Sequence, residues 1–561
     1  FVQDDWRAGR NLTLNLGLRW DFETGTEETH GQITRFDPSA NSQLNIGPSD
    51  DSFVRALRPN LTDVRGLLTF PSGPQTSTRW NRFAPRVGFA YRLNDKTTIR
   101  GGYGLSFVPQ SLEQGTALGV NVTTSVSQSA DPNGQVIPFG SAASPTINLA
   151  DPFRNALTLP AGRSLGADTQ IGQSPLLVEP NQPNSYIGQY NFVVQRALPG
   201  SVVIDVAYVG SHGVRLPFPS LNLNQLPVEY LDYGRANFAA ARDVNGVAAA
   251  NLTQFFSQQV NNPFFGLITN PNSPLSSRTV RRDQLLKPFP QYDNPQLYRP
   301  AIGASKYNGL QVSVRKRFSN GLVALANYTF SKLIDIGGAG NNNGGGGGST
   351  IEDIYNPAID YTLSNVDVPH RFTTSFTYEL PFARKRGALM RGIAGGWQTS
   401  GTATYQSGTP VGVTAPGFGL SYAVRRANRV SGVQAGFDTG TTERNIRDGG
   451  YAFNPDAFTQ PPEFTLGTAA RNYGDVRRDP YKNVNLGILK NFYFAEARHK
   501  LQLRGEFINA FNMVVFGTPG RDVSQKDLIQ NGVVVRQGTF ARVSTQGNTP
   551  RNIQLVLRYT F

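Results

Sequence analysis

Ile553, Leu555, Leu557, Tyr559 and Phe561 occupy every second position at the end of this chain, and Asn552, Gln554, Arg558 and Thr560 fill most of the gaps. A period of two places the two sets on opposite faces of a β-strand. One face is apolar and ends in aromatics; the other is polar. The same alternation recurs from end to end. Leu12, Leu14, Leu16, Leu18, Trp20 and Phe22 form one row against Thr13, Asn15, Gly17, Arg19 and Asp21. Val87, Phe89, Tyr91 and Leu93 oppose Arg86, Gly88, Ala90 and Arg92; Ile99, Tyr103, Leu105 and Phe107 oppose Arg100, Gly102, Gly104 and Ser106. Further rows run through Tyr190–Val194, Val202–Tyr208, Leu310–Val314, Ala326–Phe330, Phe372–Leu380, Trp397–Tyr405, Val484–Phe492 and Leu501–Phe507.

The connections between rows alternate in length. Short turns are expected near 94–96, 198–200, 319–321, 381–395 and 494–499, where Asn320-Gly321 is a strong hairpin signal. Long loops are expected at 23–84, 109–185, 210–305, 334–370, 408–482 and 512–550, and Gly337–Ser349 reads as a flexible loop tip. Structureless connections this long are out of place in a compact soluble domain. Short turns at one end and long loops at the other match a transmembrane antiparallel β-barrel. Rows of about 9–11 residues suit a tilted crossing of the bilayer, whereas the strands of a soluble sandwich run to about 5–6 residues with polar outer rows. The count comes to about thirteen strands, beginning and ending on strands of the same direction, so the chain is expected to be part of a larger barrel.

Composition fits this all-β reading. Only 39% of the 561 residues are hydrophobic, and no run of about 18 apolar residues marks a transmembrane helix. Low mean hydropathy, −0.33, is what alternating strands produce. The chain has no cysteine, which removes disulfides and thiolate metal or redox sites. The net charge of +14 is spread through strands rather than gathered in runs, which argues against a nucleic-acid partner.

Several stretches resemble a known family. Phe1–Trp6 followed by Leu12–Trp20, Phe83–Tyr91, Gly101–Gly104, Val206–Gly213, Tyr307–Arg315, Asn327–Lys332, Val368–Phe372, Gly505–Asn512 and Arg558–Phe561 are similar, in order and spacing, to the barrel of TonB-dependent outer-membrane receptors, most closely the Oar-like group. The resemblance implies a 22-strand barrel in the outer membrane of a Gram-negative bacterium, an internal plug, and import of a ligand powered by the TonB system. Members of that group also carry a carboxypeptidase-regulatory-like domain. The matching stretches cover only the barrel, so plug, TonB-box and regulatory domain are expected outside this chain. A passive diffusion porin and a structural or adhesion barrel are the alternatives.

No catalytic, metal or cofactor pattern stands out. His30, His212, His370 and His499 are scattered, and no His-Glu-x-x-His motif is present. Asp4/Asp5 and Glu352/Asp353 are expected at solvated turns or loops. The polar rows are more telling. Arg19, Arg86, Arg92, Arg100, Arg315, Arg317, Arg504 and Arg558 are expected to face the lumen, because lipid penalises an outward Arg by a few kcal/mol. They would contact plug carboxylates or Asp21 and Glu506, or form a basic lumen favouring anionic solutes. Trp20, Tyr91, Phe107, Tyr208, Tyr328, Phe330, Tyr378 and Phe492 are expected near strand ends as aromatic girdles. Tyr559 and Phe561 resemble the C-terminal signal read by the barrel-assembly machinery. Ligand specificity is expected in loops 109–185, 210–305 and 408–482.

Overall fold

The computed structural model describes residues 1–109, 163–268, 273–336, 351–382, 390, 393–494, 499–531 and 533–561. Among the described residues thirteen strands run as one meander: β1 (Val2–Trp6), β2 (Leu12–Glu23), β3 (Arg79–Asn94), β4 (Thr97–Phe107), β5 (Tyr186–Leu198), β6 (Val202–Leu216), β7 (Gly303–Ser319), β8 (Leu322–Asp335), β9 (His370–Glu379), β10 (Trp397–Gln406), β11 (Tyr481–Phe494), β12 (His499–Ile508) and β13 (Asn552–Thr560). Each pairs antiparallel with its sequence neighbours, and a short strand, Thr362–Leu363, adds to the end of β8. The sheet is open. Its edges, β1 and β13, run in the same direction.

The register carries one face across the sheet. Leu12, Tyr91, Ile99, Val194, Val206, Val312, Tyr328, Phe372 and Tyr405 form a continuous row over nine strands. One residue along, Thr13, Ala90, Arg100, Val193, Ala207, Gln311, Thr329, Arg371 and Gln406 form the opposite row. The apolar face is not covered by protein: Leu16, Phe192, Val206, Leu310, Phe330, Ile488 and Leu503 remain 40% to 51% exposed. Seven such side chains on one surface far exceed the scattered exposed apolar residues of a soluble monomer. No helix among the described residues is long and apolar enough to cross a membrane.

Tight turns join the strands at one end. Asn320 (φ 53°) and Gly321 (φ 79°) both occupy the left-handed region that a two-residue hairpin turn of matching twist requires. Several strands exceed the expected 9–11 residues: β7 has 17, β3 has 16 and β6 has 15. The expected loop 23–84 therefore ends at Arg79, and the expected loop 210–305 loses Gly210–Leu216 to β6. Alternation continues past the width of a bilayer because the strands rise into the long-loop end.

That end holds the dry core. The first apolar cluster joins Val54 and Leu67 to Leu231, Phe255, Phe256, Leu285 and Phe464, drawn from three different connections. A second unites Val411, Phe453, Phe458, Val476 and Phe540. The described parts of the long loops are thus folded rather than structureless, and their buried residues follow no simple period. Residues 110–162 of the expected loop 109–185, and the Gly337–Ser349 tract, lie outside the described residues.

Candidate functional site

Two surfaces could handle a solute: the polar face of the sheet and the folded loops above it. Arg19, Arg86, Arg92, Arg100, Arg315, Arg504 and Arg558 all take polar-face register positions. Arg317 falls in the irregular stretch after Lys316, where its N–H donates to the Ser201 carbonyl at 3.0 Å. Local partners neutralise part of this row. Arg19 lies 2.6 Å from Asp21, and Arg504 contacts Glu506. Arg100 donates to Gln195 at 2.6 Å, whose amide donates to Asp205 at 2.6 Å. Arg86 and Arg315 make no ion pair among the described residues.

Two further polar-face cations did not stand out from the rows. Arg82 is fully buried at the loop end of β3, donating to Glu23 at 2.5 Å and to Asn184 at 3.1 Å. Arg371 pairs across to Thr329 and Gln406. Alternation carried on to Arg79 would have found the first, had the expected loop 23–84 not taken the start of β3. Farther round, the polar face turns from basic to hydroxylic: Ser375, Thr377, Ser400, Thr402, Asn485 and Arg504 line a shallow depression of about 450 Å³.

The aromatic positions all lie on the apolar face, but not all at strand ends. Trp20 stacks on Trp80 and Phe83 at the loop end, with its indole N–H donating to the Trp80 carbonyl at 2.7 Å. Phe107 meets Tyr186 edge-on at the same end. Tyr91, Tyr378 and Phe492 lie near the turns. Tyr208 and Tyr328 instead stand mid-strand, and Phe330 only slightly nearer the loops, because β6 and β8 outrun the expected length. Tyr559 stacks on His499 and shares a hydrogen bond of 2.7 Å with its Nδ1, and Phe561 packs beside it.

Above the sheet, an aromatic chain links three loops. It passes from Phe53 to Phe255, Phe256, Phe464, Phe418 and Tyr422, with ring centres 4.9 to 5.4 Å apart. Helix α1 (Ser52–Leu57) is capped by Asp51, which accepts from the Phe53 and Val54 amides. The other Asp51 oxygen holds the fully buried Arg282 at 3.0 Å. Arg282 also lies over the Phe255 and Phe53 rings. One guanidinium therefore joins the cap of a helix to the aromatic chain.

Buried ion pairs tie the loops to the sheet rim. Arg471 contacts Asp335 at the end of β8, and Arg477 lies 2.7 Å from Asp367 just before β9. Glu352 and Asp353, expected in solvent, are buried instead. Glu352 accepts from the Arg426 amide at 2.8 Å, and the Arg426 side chain contacts Asp360. Burial pushes the Asp360 carboxyl above its usual range, and Arg426 opposes that shift. Asp4 and Asp5 are also corrected: they lie within β1, where Asp5 accepts from Asn15 at 2.5 Å. Helix α2 (Thr439–Arg447) carries Glu443, which reaches Lys482 on β11 at 2.8 Å and Arg447 at 2.9 Å. Hydrogen bonds from Arg447 and Lys482 hold its carboxyl below the usual range.

Among the described residues no three His, Asp or Glu side chains gather as a metal site. His370 bonds the Tyr328 hydroxyl at 2.8 Å and packs on Phe330.

The family model described as outer membrane beta barrel domain matches residues 1–554. The chain belongs to that family. It is a β-barrel protein of the Gram-negative outer membrane, and the sheet crosses that membrane with its apolar face towards lipid. Comparison with curated proteins finds no matching sequence. Among solved structures, the barrel is similar to the pyoverdine outer membrane receptor FpvA from Pseudomonas aeruginosa, with 11% identity and a TM-score of 0.37 over 100% of this chain and 41% of that one. The outer membrane transporter YddB from Escherichia coli gives 9% identity and 0.36 over 98% and 43%. The siderophore receptor PiuA from Acinetobacter baumannii gives 8% identity and 0.36 over 100% and 42%. The barrel chain spans about two fifths of the length of these proteins.

Proposed function

We propose that this chain is the C-terminal barrel portion of a TonB-dependent receptor of the Oar-like group, which captures a ligand with its long outer loops and imports it with TonB-coupled energy. The observation that carries the reading is the folded cap at the long-loop end. A receptor needs a shaped, preorganised outer surface, and loops on a rigid barrel supply one. A diffusion porin needs an open mouth, and two packed apolar cores at the loop end do not favour one.

Strand parity supports the larger barrel. An all-antiparallel barrel needs an even number of strands, and β1 and β13 run the same way, so closure takes an odd number more. Nine would complete the 22 of the resembling family. In this reading the long loops are extracellular, the Arg row faces the lumen and its plug, and the aromatics near strand ends form girdles. Tyr559 and Phe561 resemble the aromatic signal that the assembly machinery reads. The protein performs no chemical step and takes no cofactor.

The test is uptake by cells expressing the full-length protein. Spent medium is profiled by mass spectrometry for cells with the receptor, without it, and with the receptor but no TonB. The proposal expects a solute depleted only when receptor and TonB are both present. Depletion that persists without TonB would establish a porin. Loss of surface attachment on deletion, with no solute depleted, would establish an adhesin.

A further inference from the structure

Charges on the apolar face are few, and most are locally satisfied. Lys316 donates to the Gly200 carbonyl at 2.8 Å, and Lys490 to the Ile393 and Gly395 carbonyls at 2.6 and 2.8 Å. Lys482 is held by Glu443. Arg196 sits two residues from a turn, where it reaches water. Lys306 and Lys332 differ. Both are exposed, and neither side chain has a hydrogen bond or ion pair among the described residues.

These two lysines are neighbours. Lys306 on β7 lies directly opposite His212 on β6, and Lys332 on β8 directly opposite Asn308 on β7. Positions 306 and 332 are thus diagonal on one face, roughly 7–8 Å apart. Asn308 lies between them and is held by two hydroxyls: Tyr190 and Tyr208 donate to its Oδ1 at 2.7 and 2.8 Å. That fixes the carboxamide with its N–H donors unspent. The patch therefore offers two ammonium groups, an amide and an imidazole, and no carboxylate. Asp335 and Asp367, at the same end of the sheet, are committed to Arg471 and Arg477.

Height decides what the patch meets. Measured up from the short turn, Lys306 stands about thirteen residues above Ser319 at the end of β7, which at ~3.3 Å per residue and ~40° tilt is ~33 Å, past the top of an apolar band ~25 Å tall and at the level of the headgroups. The row below is still apolar: Tyr208, Leu310 and Phe330. An unpaired lysine costs little at that depth and several times more at the midplane.

We propose that His212, Lys306, Asn308 and Lys332 form a docking site for the phosphorylated headgroup of an anionic lipid in the outer leaflet. The inference rests on the reading above only in placing the long loops outside the cell; it does not need TonB coupling. The lysines supply charge, Asn308 supplies a fixed donor, and Leu310, Val312 and Phe330 below receive acyl chains.

The test uses the full-length protein, purified in detergent and challenged with bisphosphorylated lipid A, with the same lipid stripped of phosphate, and with inorganic phosphate. Lipid retention is read by native mass spectrometry. At about one kcal/mol per lysine near a charged headgroup, K306A/K332A should retain the phosphorylated lipid roughly thirtyfold less well. K306R/K332R should restore retention, and K316A at the turn end should leave it unchanged. The stripped lipid should bind the native protein no better than the double variant binds the phosphorylated one. Equal retention of both lipids, or no loss in K306A/K332A, would overturn the proposal. So would competition by millimolar inorganic phosphate, because the ligand would then be a free anion. Heat-modifiable migration on gels confirms that each variant is a folded barrel.

Discussion

Arg426 is where a single substitution should do most harm to the outer surface. Its guanidinium is nearly buried beside the fully buried Glu352 and Asp360. Arg426→Met leaves two carboxylates in the interior without a counter-charge, a loss of about 3–5 kcal/mol. The expected outcome is early proteolysis of loop 408–480 with the strands intact, read by limited digestion of intact cells. Glu443 gives the pH counterpart. Its carboxyl titrates below its ordinary 4.5 in the folded state, so its contribution is present above that pH and fades as pH falls through the depressed value. Amide protection factors at Thr439–Arg447 should fall on acidification below pH 4.5, and Glu443→Gln should show the lowered protection already at neutral pH. Neither role was legible in the sequence. Glu352 and Arg426 stand 74 positions apart, and an acidic pair in a polar stretch carries no sign of a distant cation.

At the scale of elements, the strands were readable because lipid and water impose opposite demands on alternate residues. The row Val206–Val312–Tyr328 and its polar neighbour Ala207–Gln311–Thr329 follow from a period of two alone. This face assignment makes a paired prediction. Val312→Lys should cost about 2–4 kcal/mol near the bilayer centre and lower the yield of assembled barrel, while Gln311→Lys should be tolerated. Urea unfolding in lipid vesicles separates the two. Strand length was less legible. Alternation continues in β3, β6 and β7 beyond the bilayer, and nothing in the pattern marks where lipid ends.

The molecule as a whole reverses the usual arrangement: its dry core lies in the connections, and its regular sheet is exposed. The aromatic chain through Phe53, Phe255, Phe256, Phe464 and Phe418 holds three loops together. Phe256→Ala should cost about 3–5 kcal/mol of cap stability, with a lower thermal midpoint for the cap and an unchanged one for the barrel. These residues gave little signal in advance. Phe255 and Phe256 are adjacent, and Phe464 stands alone among polar neighbours, so neither a strand nor a helix period picks them out. The candidate surface was accordingly half visible: the Arg row from alternation, the folded cap only from the structure.

The central claim is that the sheet crosses the outer membrane with its long loops outside and its short turns within. The absence of cysteine makes a direct measurement possible. Val247→Cys places a thiol in an exposed loop, and Asp95→Cys places one in the turn between β3 and β4. Intact cells are treated with a membrane-impermeant maleimide before and after the outer membrane is permeabilised. The account predicts that Cys at 247 is labelled at once and Cys at 95 only after permeabilisation. Immediate labelling at 95, with 247 protected, would contradict it.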